Sequence, residues 1–194
     1  MPADAKLIVA FGDSLYAGYQ LGANEGFAPA LEQQLRKARV EARVINAGVS
    51  GDTSAAGLQR LAFTLDGLPR NPDLVLVGLG GNDMLRGLAP AATRSNLDAI
   101  LADLKRRHVP AMLTGMLASP NMGKDYAAEF NRIYPDLARK YGIPLYPFFL
   151  DGVIGRQKFI LQDGIHPNAK GVSIIVQNVS ASVIQAVETP AVQH

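Results

Sequence analysis

Short apolar runs alternate with stretches of helical period along the whole of this 194-residue chain. That alternation is the mark of βαβ units around a parallel sheet. Strands are expected over residues 6–11, 42–46, 73–78, 111–115 and 145–148. The third is a continuous apolar run, which suits a sheet centre buried on both faces. Between the first two, Phe27, Leu31, Leu35 and Ala38 recur at helical spacing, and Pro29 is tolerable in a first turn. Arg36, Lys37 and Arg39 gather at that helix's C-terminal end, where cations suit the dipole. Further helices are expected up to about residue 63, over 90–107 and over 124–141. The last helix begins near Asn168 and carries Val172, Val176, Val179, Val183 and Val187 as one apolar stripe. The expected fold class is therefore α/β, a three-layer α/β/α sandwich on a five-stranded parallel sheet. No repeat or linker interrupts the pattern, so one domain is expected over 1–194, with a tail fraying from about residue 189.

Several function classes fall away on composition. Apolar residues make up 48% and charged residues 19%, which argues against disorder. A net charge of only +2 suggests neither a nucleic-acid partner nor an anionic membrane surface. No apolar run approaches the ~18 residues of a membrane span. The chain has no cysteine, which excludes disulfides, a thiolate nucleophile and thiolate metal sites. Residues 1–6 lack the apolar core of a signal peptide. A cytoplasmic location is expected, or a periplasmic or secreted one where a signal has been removed.

In α/β sheets of this kind, ligands sit beyond the carboxyl ends of the strands. Three loops leave strand ends there and share one rim: those holding Ser14, Gly51 and Asn82. The first strand stops abruptly in Gly12-Asp13-Ser14-Leu15. A rigid strand end followed by a sharp turn displays a hydroxyl well. A free serine is inert, however, and needs a base and a group to orient that base. Asp163-Gly164-Ile165-His166-Pro167 can supply both, because a glycine-bearing turn can aim the carboxylate and the imidazole to one side. Alone, Ser14 reads first as a turn serine that bonds its own backbone, and Asp163 as a helix-start aspartate beside a surface histidine. The G-x-S-x-G elbow is absent, since position 16 is Tyr16. His108 and His194 have no comparable carboxylate neighbour. A metal at Asp163 and His166 would need further ligands, and neither of those histidines is well placed to serve.

Acyl transfer also needs donors for the developing oxyanion. Gly51 offers an N–H with no side chain in the way, or is simply a turn glycine. Asn82 follows Gly80-Gly81, which lets its amide approach closely, or it caps a helix. Residues 78–81 do not match G-x-G-x-x-G, so no dinucleotide site is expected. Asp13 is expected to hold the turn through backbone N–H groups. Residues 117–125, with Met116 and Met122, border either the acyl site or the core.

Taken together, Gly12-Asp13-Ser14-Leu15, Gly51-Asp52-Thr53, Gly80-Gly81-Asn82-Asp83 and Asp163-Gly164-Ile165-His166 resemble the signature blocks of the SGNH, or GDSL, hydrolases. Residues 46–54, 80–87, 144–149 and 163–168 are similar to the thioesterase I, lysophospholipase and arylesterase subgroup. The resemblance implies a flavodoxin-like sheet and cofactor-free hydrolysis of acyl esters and thioesters. It implies a triad of Ser14, Asp163 and His166, with Ser14, Gly51 and Asn82 forming the oxyanion hole. The expected activity is that of a serine esterase on small-molecule short- to medium-chain acyl or aryl esters, with thioesters alongside. Three rivals stay open: the same machinery aimed at lysophospholipids or sugar acetates, a flavodoxin-like binding module without catalysis, and a metal phosphoesterase.

Overall fold

The computed structural model describes residues 5–188, so the tail expected to fray lies outside the described residues. Five strands, β1 (Lys6–Gly12), β2 (Ala42–Gly48), β3 (Leu74–Gly78), β4 (Ala111–Thr114) and β5 (Leu145–Tyr146), form one sheet. Their order is β2-β1-β3-β4-β5 and every neighbouring pair is parallel. This is the flavodoxin-like order, and it reverses between β1 and β3. In register, Gly12 pairs with Gly48 on one side and with Gly78 on the other, so three strands end level at the reversal. The crevice there is where a doubly wound sheet binds its ligand.

Among the described residues, eight α-helices cover the sheet: α1 (Ser14–Ala17), α2 (Phe27–Lys37), α3 (Ser54–Asp66), α4 (Gly81–Leu85), α5 (Pro90–Arg106), α6 (Lys124–Asn131), α7 (Ile133–Tyr141) and α8 (Ala169–Glu188). One layer pairs α2 with α8, and the other packs α3 and α7 against α5. Leu31 and Leu35 of α2 and all five valines of the α8 stripe are buried. Full burial contributes roughly 1.5–3 kcal/mol for each such side chain. β3 is buried at every position, as its unbroken apolar run requires.

The crowding at the strand ends explains their glycines. Tyr16 projects from α1 into the core, stacks on Phe149 at 5.0 Å, tilts against Phe27 at 4.8 Å, and shares a 2.7 Å hydrogen bond with Thr114 Oγ1. A Cβ on Gly12 would lie 2.5 Å from the Tyr16 ring, and one on Gly78 would lie 2.3 Å from it. The residue that rules out a nucleophile elbow is thus the anchor of the nucleophile turn.

Some boundaries differ from expectation. The helix expected over 124–141 is two helices, α6 and α7, parted at Arg132. Pro135 has no N–H to offer the Asn131 carbonyl four residues back, and its ring crowds that carbonyl. β5 stops at Tyr146 rather than 148, because the Gly115 carbonyl takes the Phe149 N–H at 2.9 Å, one residue beyond the Phe148 donor that a continued parallel ladder would use. Ala38 caps α2 instead of lying within it. The stretches read as loops after β1 and β3 begin with α1 and α4, helices of four and five residues. Among the described residues, no helix is long and apolar enough to cross a membrane.

Candidate active site

Asp13 starts the site. It caps α1 by accepting the Leu15 N–H on Oδ1 at 3.0 Å, which turns the chain sharply out of β1 and presents Ser14 as the first helical residue. Gly18, at φ 80°, ends that single turn. Across the sheet, residues 160 and 167 pair as an antiparallel bridge, which brings the turn between them back to Ser14. Within that turn Gly164 adopts φ 75°. Asp163 Oδ1 then accepts the backbone N–H groups of Ile165 at 2.9 Å and His166 at 3.0 Å, while Oδ2 meets His166 Nδ1 at 2.6 Å. His166 Nε2 lies 2.8 Å from Ser14 Oγ, across 152 positions of sequence.

The electrostatics follow from these contacts. Desolvation pushes the Asp163 carboxyl upward, but the His166 and Ile165 N–H groups, together with the imidazole, outweigh it and hold the pKa at about 2. Asp163 therefore stays ionised across neutral pH and fixes its proton-bearing partner nitrogen as Nδ1. Nε2 is left to accept from Ser14. An imidazole so held can take the Ser14 proton and return it to a leaving group. Tyr19 covers one side of the imidazole, its ring centroid 4.5 Å away at a tilt of 38°.

Gly51 and Asn82 arrive from the neighbouring loops. Gly51 has φ +87°, a left-handed backbone that other residues strain to adopt, although the nearest atom to an added Cβ is 3.9 Å away. Backbone conformation rather than space calls for glycine here. The cap of α4 is Gly80, so Asn82 is not a capping residue. Its Nδ2 donates instead to the Asp52 carbonyl at 2.9 Å, leaving its second N–H to point elsewhere. Next to it, buried Asp83 accepts Ser54 N at 2.8 Å, Ser54 Oγ at 2.5 Å and Thr93 Oγ1 at 3.2 Å, which staples α4 to α3 and α5. Ser14, Gly51, Asn82 and His166 thus meet at one cleft of about 630 Å³. Its apolar walls include Met84, Met116, Leu117, Phe148, Leu150 and Ile154. That volume falls within the usual range for small-molecule sites, about 300–1,000 Å³.

The loop after β4 divides between its two expected roles. Met116 and Leu117 line the cleft, whereas Met122 packs on the core. His108 stands exposed beyond α5 with φ 57°, away from the site, and His194 lies outside the described residues. Sequence reasoning passed over Tyr19, Asp83, Met84 and Arg60. None of them carries a spacing signal: Arg60 stands eight residues from Asp52, beyond the three or four at which helix neighbours meet.

Asp13 makes a separate prediction. Burial, the largest influence, raises its carboxyl to about 6, opposed by the Leu15 N–H and the His166 charge. The folded pKa exceeds the ordinary 3.8, so the native state holds the proton more tightly than the unfolded chain does. The resulting stabilisation is complete below pH ~3.8 and is lost as pH rises through about 6. Asp13→Asn keeps the Leu15 acceptor and removes the titration. Relative to wild type, the variant is expected to gain on the order of 2–3 kcal/mol between pH 4 and pH 7.5. Urea unfolding of both proteins at both pH values measures this, because titrations not coupled to Asp13 cancel in the difference. A pH-independent difference would show that Asp13 does not titrate in this window.

Comparison with known proteins places the chain by sequence and fold. Residues 10–174 match the GDSL-like Lipase/Acylhydrolase family. An arylesterase of Vibrio mimicus is 37% identical over 94% of this chain and 90% of its own length. The thioesterase 1/protease 1/lysophospholipase L1 of Escherichia coli strain K12 is 41% identical over 86% of this chain and 77% of its own. Among solved structures, the SGNH-hydrolase family esterase AlinE4 superposes with a TM-score of 0.82 at 50% identity, covering 97% of this chain and 100% of that one.

Proposed function

The chain belongs to the GDSL-like lipase/acylhydrolase family, and from that premise we propose that Ser14 is its nucleophile, His166 the general base and Asp163 the residue that orients the base. It is a serine esterase, a carboxylic ester hydrolase. The observation that carries the residue assignment is the unbroken line of contacts from Asp163 Oδ2 through the imidazole to Ser14 Oγ, at 2.6 and 2.8 Å. In the proposed sequence, Ser14 attacks the acyl carbon as His166 takes its proton. The Ser14 and Gly51 N–H groups and the free N–H of Asn82 receive the oxyanion. His166 then protonates the leaving alcohol or thiol, and water hydrolyses the acyl-enzyme with His166 again as base. A single hydrolase domain over 1–194 is part of the same proposal.

The apolar cleft fits a short- to medium-chain acyl group better than a sugar, whose hydroxyls would need polar partners. A panel of p-nitrophenyl esters of increasing chain length, acyl-CoA thioesters, a lysophospholipid and an acetylated sugar tests the assignment. Turnover is expected to be best on short- to medium-chain aryl and alkyl esters, with thioesters cleaved as well. Turnover confined to the acetylated sugar would overturn the acyl-chain reading, and turnover confined to the lysophospholipid would move the substrate class to lipids.

A further inference from the structure

A guanidinium outside the proposed triad and oxyanion hole joins the loops that carry them. Arg60, on α3, donates from Nε to Asp52 Oδ2 at 2.6 Å and from Nη2 to the Gly12 carbonyl at 2.9 Å. Its central carbon sits 4.2 Å from the centroid of the Phe11 ring. The two charged side chains are only 20% and 12% exposed. The Gly12 carbonyl also accepts the Val49 N–H at 3.0 Å. Gly12 stands two residues before Ser14, and Asp52 stands one residue after Gly51. One planar fork thus ties the nucleophile turn to the loop that carries Gly51.

Asp52 is held a second time, because its carbonyl accepts Asn82 Nδ2. All three proposed oxyanion donors therefore lie within two residues of a group in one network of Gly12, Asp52, Arg60 and Asn82. Global stability is a poor reason for the arrangement. A mostly buried ion pair pays heavily in desolvation, and an apolar pair of similar volume often does as well. What such a pair does give is a fixed geometry between two chain segments. Lysine could not reproduce it, since the two acceptors need two separate N–H groups in one plane. Arg86 also reaches the Gly51 carbonyl, at 2.8 Å, but it is exposed and holds that loop alone, with no bond to the nucleophile turn.

We propose that Arg60 is a positioning residue that, through Asp52 and the Gly12 carbonyl, sets the Gly51 N–H and Asn82 amide relative to Ser14 before substrate arrives. The inference rests on the esterase reading above. A donor misplaced by a fraction of an ångström binds the ground-state carbonyl almost as well, but loses strength where charge develops.

Arg60→Met, Arg60→Lys, Asp52→Asn and the Arg60→Met/Asp52→Asn double variant test it. Active sites are counted by fluorophosphonate titration, and kcat and KM for a p-nitrophenyl ester are taken per titrated site. Inhibition by an alkylboronic acid, which forms an anionic tetrahedral adduct on an active serine, is measured alongside. For Arg60→Met, kcat is expected to fall about 10- to 50-fold with KM within about twofold. Boronate affinity should fall by a similar factor. Arg60→Lys should recover only part of the loss, and the double variant should be little worse than Arg60→Met, since both changes break one bridge. A merely structural role would lower the titrated fraction and leave kcat per site alone. That result, or additive losses in the double variant, overturns the inference. If Arg60→Met does not fold, Asp52→Asn alone decides, because it weakens the ion pair while keeping the carbonyl that Asn82 uses. A wild-type protein without ester turnover overturns the esterase reading and this inference with it. An active wild type with an unaffected bridge variant overturns the inference alone.

Discussion

Ser14→Ala is expected to lower kcat for a p-nitrophenyl ester by on the order of 10⁴–10⁶ while leaving the fold and the cleft intact. The reason is the route that disappears. With the Oγ gone, His166 Nε2 loses its 2.8 Å partner, and no acyl-enzyme can form. Other serine hydrolases lose roughly 10⁶ when the nucleophile is removed and keep a residual rate from binding and the oxyanion hole alone. The residue is half-buried at the start of a short helix, and its alanine variant creates no internal charge. Thermal unfolding should therefore move little. Two further readouts make the result specific. A fluorophosphonate should label wild type stoichiometrically at Ser14 and leave the variant unlabelled. Adding His166→Ala to Ser14→Ala should cost little more, because the two residues act as one unit. Label on a different serine in active enzyme, or a Ser14→Ala variant within tenfold of wild type, would overturn the nucleophile assignment.

How much of this was legible beforehand depends on the range of each interaction. The valine stripe of α8 and the apolar run of β3 are written in local periodicity, so burial and position followed from sequence. The break at Pro135 is also local, and a stricter reading of proline would have found it, whereas the end of β5 turns on the Phe149 bond to Gly115, a contact between strands. The helices α1 and α4 are too short to display a period at all. At the site, Asp163 and His166 are three residues apart, and their pairing could be read from a turn. The contact of His166 with Ser14 spans 152 positions and needed the sheet order, which the loop positions at strand ends suggested. Arg60, Tyr19 and Asp83 gain their meaning only from tertiary neighbours. Asp83 looks like any acidic residue in a helix's first turn until Ser54 and Thr93 close on it. No spacing rule marks such a residue, because its partners come from two other helices.

The second large effect concerns Asn82, and here the structure sharpens the expectation. The side chain is not free to wander: one amide N–H is spent on the Asp52 carbonyl at 2.9 Å. That bond aims the remaining N–H, and it also makes alanine do two things at once, removing a donor and releasing the Asp52 loop. The first effect acts on the transition state, where the hydrogen bond strengthens as charge builds on the carbonyl oxygen. For Asn82→Ala a kcat loss on the order of 10²–10³ is expected, equivalent to about 3–4 kcal/mol, with KM nearly unchanged. Ser14 should still be labelled by a fluorophosphonate, but more slowly. Asn82→Asp separates the two effects. A carboxylate cannot donate to an oxyanion and would repel it, and it cannot donate to the Asp52 carbonyl either. Its kcat should therefore fall at least as far as that of alanine. Asn82→Gln keeps a donor on a longer arm and should recover part of the rate only if the amide reaches the oxyanion. Unfolding midpoints must be measured for all three, since a lost anchor on the Asp52 loop would show as lower stability with kcat per titrated site unaltered. If folded Asn82→Ala retains most of its kcat, the oxyanion is held by the Ser14 and Gly51 N–H groups alone, and the amide serves only to tie α4 to the loop after β2.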